Sequence, residues 1–396
     1  MLRVIRYDGS PMAAKMSEVE LLRRLVAFDS TSAHSNRPIA DFICEYVDGP
    51  GFEVFRNEKP DENKVNLVIR VGDPGRFRDE RAGLILSGHM DVVPAVEPEW
   101  ESDPFDLTER DGRLFGRGAA DMKGFLALAL NLAQEFAEEP LQTPLVLLLT
   151  FDEELGLLGA QHFQRMWDES IPLPKNAIIG EPTGMRVIRM HKGHLRVSIT
   201  LRGRSAHSAC PHLGRNAIEP AARVVTALAE LRQALTRERI ETSTYFRETP
   251  YATINVAQIA GGEAVNIIPD RCAIDIGGRV LPGMDSAGFI QRIRDTVDAL
   301  EDLGECTVET VNVGPPLLAP ADSEVHRFMC DLLSQTEDGA ASYATDAGVF
   351  QQMGIDCVVC GPGPIDVAHR PNEFTTREDL AAARPIFQKA IRRFCI

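Results

Sequence analysis

Apolar runs recur along the chain in one pattern: a few aliphatic residues, then a small residue, then an acidic or imidazole side chain. Leu84-Ile85-Leu86 leads through Ser87-Gly88 to His89-Met90-Asp91, and Leu145 to Phe151 leads to Asp152-Glu153-Glu154. Ala177-Ile178-Ile179-Gly180 precedes Glu181, and Cys357-Val358-Val359-Cys360 precedes Ala368-His369. Short continuous apolar runs bounded by turn residues predict buried strands. Between them the period lengthens. Leu21, Leu22, Leu25 and Val26 predict a helix over Ser17 to Phe28, and a second spans Pro38 to Val47 before Gly49-Pro50-Gly51. Phe52 to Phe55 and Val65 to Val71 read as strands about the polar turn Lys59 to Asn63. Trp100 to Leu114 reads as a polar loop, and Phe125 to Phe136 as a long apolar helix with Asp121 at its mouth. Strands alternating with helices place the chain in the α/β class.

Length and composition narrow the picture. A chain of 396 residues can hold two domains, each with its own core. A net charge of −16 excludes nucleic acid as a main partner, because a phosphate backbone requires a basic face. No apolar run approaches the roughly 20 residues that span a bilayer, so no membrane is expected. Met1 to Met16 has no apolar segment of a secretory signal, and reads as a frayed extension or as an upstream start before Met12 or Met16. The eight cysteines are scattered, as reduced thiols of a cytoplasmic protein would be. Cys357-Val-Val-Cys360 lies inside a strand-like run without a second pair, which favours a buried strand over a zinc or redox site.

Each segment end has a plain reading. His89-Met90-Asp91 past a strand suits a satisfied core histidine as well as a metal ligand whose other nitrogen Asp91 holds. Asp121 is a good helix cap, and Asp152-Glu153-Glu154 is served by solvent as well as by a cation. Taken together, His89, Asp121, Glu154, Glu181 and His369 supply two imidazoles and three carboxylates, a set that suits two zinc ions. One aspartate bridging both ions, with one His and one Glu to each, leaves Glu153 beside a ligand but free of metal. A carboxylate there is placed to take a proton from water and pass it to a leaving amine. No G-x-S-x-G is present, so a serine nucleophile has no support.

The chain resembles the acetylornithine deacetylase / succinyl-diaminopimelate desuccinylase family of zinc-dependent aminoacyl hydrolases. The resemblance rests on Ser87 to Pro94, Gly116-Arg117-Gly118-Ala119-Ala120-Asp121-Met122-Lys123-Gly124, Asp152-Glu153-Glu154, Gly180-Glu181-Pro182-Thr183 and Ala368-His369. Asn63-Lys64-Val65-Asn66-Leu67 and Gly361-Pro362-Gly363 with Ala368 to Glu373 look most like the acetylornithine deacetylase branch. The resemblance implies two Zn²⁺ per chain, which Co²⁺ can replace. His89, Asp121 and Glu181 would hold one ion, Asp121, Glu154 and His369 the other. Asp91 would stand behind His89, and Glu153 would be the general base.

The resemblance also implies a catalytic domain over 1–193 and 315–396, with a smaller α+β lid and dimerisation domain over 194–314 inserted into it. In that insert, Leu195 to Leu201, Ala252 to Ile259 and Cys272 to Val280 read as strands, and Ala217 to Leu235 and Ser286 to Leu300 as helices. Ser205-Ala206-His207-Ser208 resembles the family segment whose histidine stabilises the oxyanion, often from the partner subunit of a homodimer. Asn266 and Arg279 match positions that hold the substrate carboxylate, and Thr345 a turn at the substrate site. Asp346 stands where the acetylornithine branch more often has Glu. The implied reaction removes an acetyl group from N-acetylornithine, a step of arginine biosynthesis. Succinyl-diaminopimelate desuccinylation, another N-acyl amino acid or a dipeptide are the alternatives on the same scaffold. An inactive relative that uses its metal site for assembly is the alternative of another class.

Overall fold

The computed structural model describes the backbone of Leu2–Arg6 and residues 14–396. The chain divides into two compact units: 1–189 with 319–339 and 345–396, and 190–318 with 340–344. The insert expected over 194–314 therefore starts a few residues earlier, at Met190, and extends to Leu318 with a short return segment.

Unit one is built on a mixed sheet in the order Leu2–Arg6, Phe52–Lys59, Lys64–Val71, Leu145–Thr150, Leu84–His89, Asn176–Ile179, Asp356–Val359, Ile188–His191, the last strand leading into unit two. The four strands from Leu145–Thr150 to Asp356–Val359 are parallel, so their carboxyl ends share one edge. Alternate residues of these strands and of the neighbouring strand Lys64–Val71 are buried on opposite faces. Leu67, Ile69, Leu86 and Leu147 join the core formed with helices Glu18–Val26, Gly124–Ala137 and Arg377–Cys395. Val68, Ile85, Val146 and Leu148 face the other way and are buried as well. A strand covered on both faces needs apolar residues at every position, which is why these segments read as continuous runs. Helices Leu158–Met166 and Ala347–Gln352 meet through the rings of Phe163 and Phe350.

Unit two is a four-stranded antiparallel sheet in the order Thr253–Gly261, Arg271–Val280, Gly193–Arg202, Glu305–Gly314. One face packs on helices Ile218–Leu235 and Ser286–Asp298 through Val197, Ile199, Ile274, Ile276, Leu228 and Ile293. Burial alternates along Gly193–Arg202, as expected of a sheet with one face on the core.

Two expectations are corrected, and the plain alternative for Asp121 is set aside. The N-terminal extension is not frayed at Leu2–Arg6, which adds an antiparallel strand to Phe52–Lys59 and satisfies that strand's open edge; Met12 lies outside the described residues. The loop Trp100 to Leu114 contains the strand Thr108–Arg110, which with Arg113–Phe115 and Phe374–Thr376 forms a three-stranded sheet. Asp121 does not cap the apolar helix: its backbone is extended, and its carboxylate turns toward two histidines.

Candidate dinuclear metal centre

The shared edge of the four parallel strands collects most of the expected residues. His89 ends one strand, Glu153 and Glu154 follow Leu145–Thr150, and Glu181 follows Asn176–Ile179. His369 lies on the segment after Asp356–Val359, and Asp121 just ahead of helix Gly124–Ala137. Two glycines make this convergence possible. Gly180 packs so closely on Phe125 that a Cβ would sit 2.2 Å from the ring, and Gly118 takes φ +80 where the chain turns toward Asp121.

The donor atoms face one another. Asp121 Oδ1 lies 3.0 Å from His89 Nε2, and Asp121 Oδ2 lies 3.2 Å from His369 Nε2. His369 Nε2 is 2.9 Å from Glu154 Oε1, and His89 Nε2 is 3.9 Å from Glu181 Oε1. Asp121 thus offers a different oxygen to each histidine, each with its own glutamate, as a bridging ligand must. Donors around a tetrahedral ion with bonds near 2.0–2.1 Å lie roughly 3.3 Å apart, so nitrogen and oxygen atoms at these separations fit two divalent cations.

Electrostatics point the same way. Burial pushes the Glu153 and Glu181 carboxyls well above the usual range, and the neighbouring carboxylates add to it. Although burial opposes it, the bond to Asp121 and the charge of Glu181 raise His89 well above an ordinary imidazole. His369 is pushed up to about 10 by its bonds to Asp121 and Glu154. Without cations, protons must hold this cluster together; metal ions supply the same positive charge.

The role expected of Asp91 changes in detail. His89 Nδ1 lies 2.9 Å from the Asp91 backbone carbonyl, to which the Nδ1–H tautomer donates, while the Asp91 carboxylate is 3.7 Å away. That carboxylate instead accepts from the backbone N–H groups of Glu153 (3.1 Å) and Glu154 (3.3 Å) and from the Ser32 hydroxyl (2.7 Å). Asp91 therefore orients the imidazole with its main chain and the acidic turn with its side chain. The strand ends at His89 and the chain bends at Met90, and the carbonyl of Asp91, not its carboxylate, lies beside the ring.

Other residues pack around the centre, Lys64, Lys123 and Thr150 among them without a role assigned from the sequence. Lys64 Nζ donates to the Ser32 carbonyl (2.7 Å) and to Asp152, tying down both sides of the acidic turn. Burial raises the Asp152 carboxyl to about 6 against the pull of Lys64. The Thr150 hydroxyl donates to Asp346 Oδ2 (2.6 Å), and burial lifts Asp346 to about 6. Thr345 is fully buried beside it. Lys123 is buried too and is pulled down to about 7 by desolvation, its ammonium donating to the Phe28 carbonyl. The only advance signal for Lys64 was its place in Asn63-Lys64-Val65-Asn66-Leu67.

In unit two, His207 and Asn266 are neighbours: His207 bridges Ile267, and Ser208 N–H donates to the Asn266 carbonyl (2.9 Å). Both are exposed. Arg279 lies at the far end of strand Arg271–Val280, opposite His194 and Thr253, where it lines a cavity of about 380 Å³ with Asn255 and Gly277. At about 3.3 Å per residue, the strand separates it from Asn266 by on the order of 25 Å. Within one subunit these two do not meet on one carboxylate.

The sequence of residues 85–393 matches the model of peptidase family M20/M25/M40. The chain is 35% identical over 380 residues to the acetylornithine deacetylase of Myxococcus xanthus, covering 94% of this chain and 96% of that one. Among solved structures it resembles an M20 family metallo-carboxypeptidase from Sulfolobus solfataricus, with a TM-score of 0.75, 18% identity and coverage of 96% and 99%. A dinuclear metal-binding M20 peptidase from Bacillus subtilis superposes with a TM-score of 0.64 at 13% identity, over 95% of this chain and 97% of that one.

Proposed function

This chain belongs to peptidase family M20/M25/M40 and is a hydrolase acting on an amide, and we propose that it removes the acetyl group from N-acetylornithine, giving ornithine and acetate. The observation that carries the chemistry is Asp121 turned between two His–Glu pairs with Glu153 beside them. The observation that carries the substrate is likeness over nearly the whole chain to acetylornithine deacetylases. His89, Asp121 and Glu181 would hold one divalent ion, and Asp121, Glu154 and His369 the other. The donor set of imidazole nitrogen and carboxylate oxygen suits zinc, and cobalt in its place. Bound there, the ions would polarise the scissile carbonyl and lower the pKa of water.

The remaining steps belong to the protein. Glu153 takes a proton from the attacking water as the new C–O bond forms, and returns it to the amide nitrogen as the C–N bond breaks. Burial and the neighbouring carboxylates raise this carboxyl's affinity for a proton, which suits it to hold the one taken from water between the two transfers. Asp91 fixes the turn on which Glu153 sits. His207, an exposed imidazole, donates to the developing oxyanion.

Arg279 and Asn266 take the substrate carboxylate, and their separation within one subunit favours a homodimer in which Asn266 and His207 come from the partner. Among the described residues the strand Thr253–Gly261 pairs on one side only, and Ile259, Val265, Ile267 and Leu213 are exposed apolar side chains around it and the His207 turn. A second copy of this chain would cover them. The eight free cysteines suit the cytoplasm, where arginine biosynthesis would use this step. No described helix is long and apolar enough to cross a membrane.

Steady-state assays of the zinc-loaded protein test the reading, with N-acetylornithine, N-succinyl-diaminopimelate, other N-acetyl amino acids and dipeptides as substrates. The highest kcat/KM is expected for N-acetylornithine, with activity lost on chelation and restored by zinc or cobalt. A preference for a dipeptide or the succinylated substrate would replace the substrate. Full activity of metal-free protein would refute the mechanism.

A further inference from the structure

We propose that Arg117 and Glu373 form a clamp that sets the positions of the metal ligands, a role that rests on the metal-centre reading above. Both side chains are 1% exposed, and Arg117 Nη1 donates to Glu373 Oε2 at 2.9 Å. The other oxygen, Glu373 Oε1, accepts from the backbone N–H groups of Ala120 and Asp121, each at 3.0 Å. Nη1 of Arg117 also donates to the Arg370 carbonyl at 3.3 Å, next in sequence to His369. Nη2 donates to the Pro94 carbonyl at 3.1 Å and to both oxygens of Glu97 at 3.4 Å, on the segment that follows His89. The Trp100 ring covers the guanidinium at 5.2 Å.

One ion pair therefore joins three ligand-bearing segments: those of His89, Asp121 and His369. The planar fork of arginine allows this, because it directs several N–H groups along fixed and separate lines. The consequence falls on Asp121. Its two carboxylate oxygens serve different histidines, at 3.0 and 3.2 Å, and a small rotation of the backbone there would spoil one contact or the other. Glu373 holds that backbone by its N–H. The pair sums to zero charge, so it places the ligands without adding to the negative charge of the cluster. Arg117 and Glu373 touch no donor atom of the centre. They are positioning residues.

Removing one partner would bury an unpaired charge and threaten folding, so the test uses the double variant Arg117→Met/Glu373→Leu, which removes both charges at similar volume. Cobalt(II) is titrated by calorimetry into metal-free wild type and variant, with circular dichroism melts of both metal-free proteins, and kcat and KM are measured in the cobalt forms. The variant is expected to melt within a few degrees of wild type. It should bind cobalt about 10–100-fold more weakly at one site or both, with kcat reduced and KM little changed. Wild-type affinity at both sites would overturn the clamp alone. A variant that cannot fold would also overturn it, since the pair would then hold the fold rather than the ligands. Failure of the wild type to bind cobalt would remove the metal-centre reading and the clamp with it.

Discussion

Glu153 and Glu154 are neighbours in sequence for which divided roles are proposed. Glu154 Oε1 lies 2.9 Å from His369 Nε2, whereas burial and the surrounding carboxylates raise the Glu153 carboxyl well above the usual range. Glu153→Ala is expected to retain two metal ions while turnover falls by about 10²–10⁴ or more; Glu154→Ala should lose affinity for one ion. Metal analysis beside kcat distinguishes them, and near wild-type turnover in Glu153→Ala would require another base. This expected division comes from the family resemblance of Asp152-Glu153-Glu154, which follows a strand and sits in a recognisable series of motifs. The function of Asp91 was only half legible. A spacing of two residues puts Asp91 near His89, but only the backbone course decides that the carbonyl meets the ring while the carboxylate holds the acidic turn. Glu373 was hidden for a different reason. Its partners Arg117, Ala120 and Asp121 lie some 250 positions away, and nothing local in Pro371-Asn372-Glu373 points to them.

Strands covered on both faces were the easiest elements to read. Leu84-Ile85-Leu86 and Leu145 to Leu149 have no solvent side, so their apolar runs are unbroken. Phe374–Thr376 is a three-residue strand defined by its partner Arg113–Phe115, and carries too few positions for a period. Helix Arg377–Cys395 contains Pro385, a breaker that tertiary packing of Phe387 and Phe394 overrides. The strand Ile188–His191, which leads out of unit one, carries a buried histidine whose pH behaviour can be derived. Burial pulls His191 down to about 4, and its Nδ1 lies 3.0 Å from the Lys192 carbonyl. An unfolded histidine titrates near 6.5. Between those values the unfolded chain binds the proton and the folded chain does not, so the contribution is complete above pH 6.5 and is lost as pH falls toward 4. The loss is on the order of 3 kcal/mol. His191→Asn should therefore flatten the fall in stability between pH 6.5 and 4, measured as the variant's denaturant midpoint against wild type at each pH. Parallel curves for the two proteins would show that His191 is not the titrating group.

At the scale of the whole molecule, the two units carry different parts of the proposed site. Unit one holds every expected metal ligand and Glu153; unit two holds His207, Asn266 and Arg279. The division of the chain was expected from the family resemblance, and the strands and helices read between Leu195 and Leu300 agree with it; in the structure, burial alternates along Gly193–Arg202, as a sheet with one covered face requires. What the pattern could not convey is that His207 and Asn266 share one end of their sheet and Arg279 the other. Two copies of the chain resolve that arrangement if each lends His207 to its partner, and complementation tests it. His207→Ala should lower kcat by about 10²–10³ while metal content and fold stay unchanged, because an oxyanion donor acts only in the transition state. Glu153→Ala should be inactive for lack of a base. In a mixed dimer one site then lacks both groups and the other has both. Equal mixing with free exchange should recover roughly a quarter of wild-type activity, since half the dimers are mixed and each has one intact site. Exchange is verified by mass on subunits of distinct tag length. Confirmed exchange without recovered turnover would assign His207 to the site of its own chain, and normal turnover in His207→Ala alone would leave it an exposed imidazole with no part in the reaction.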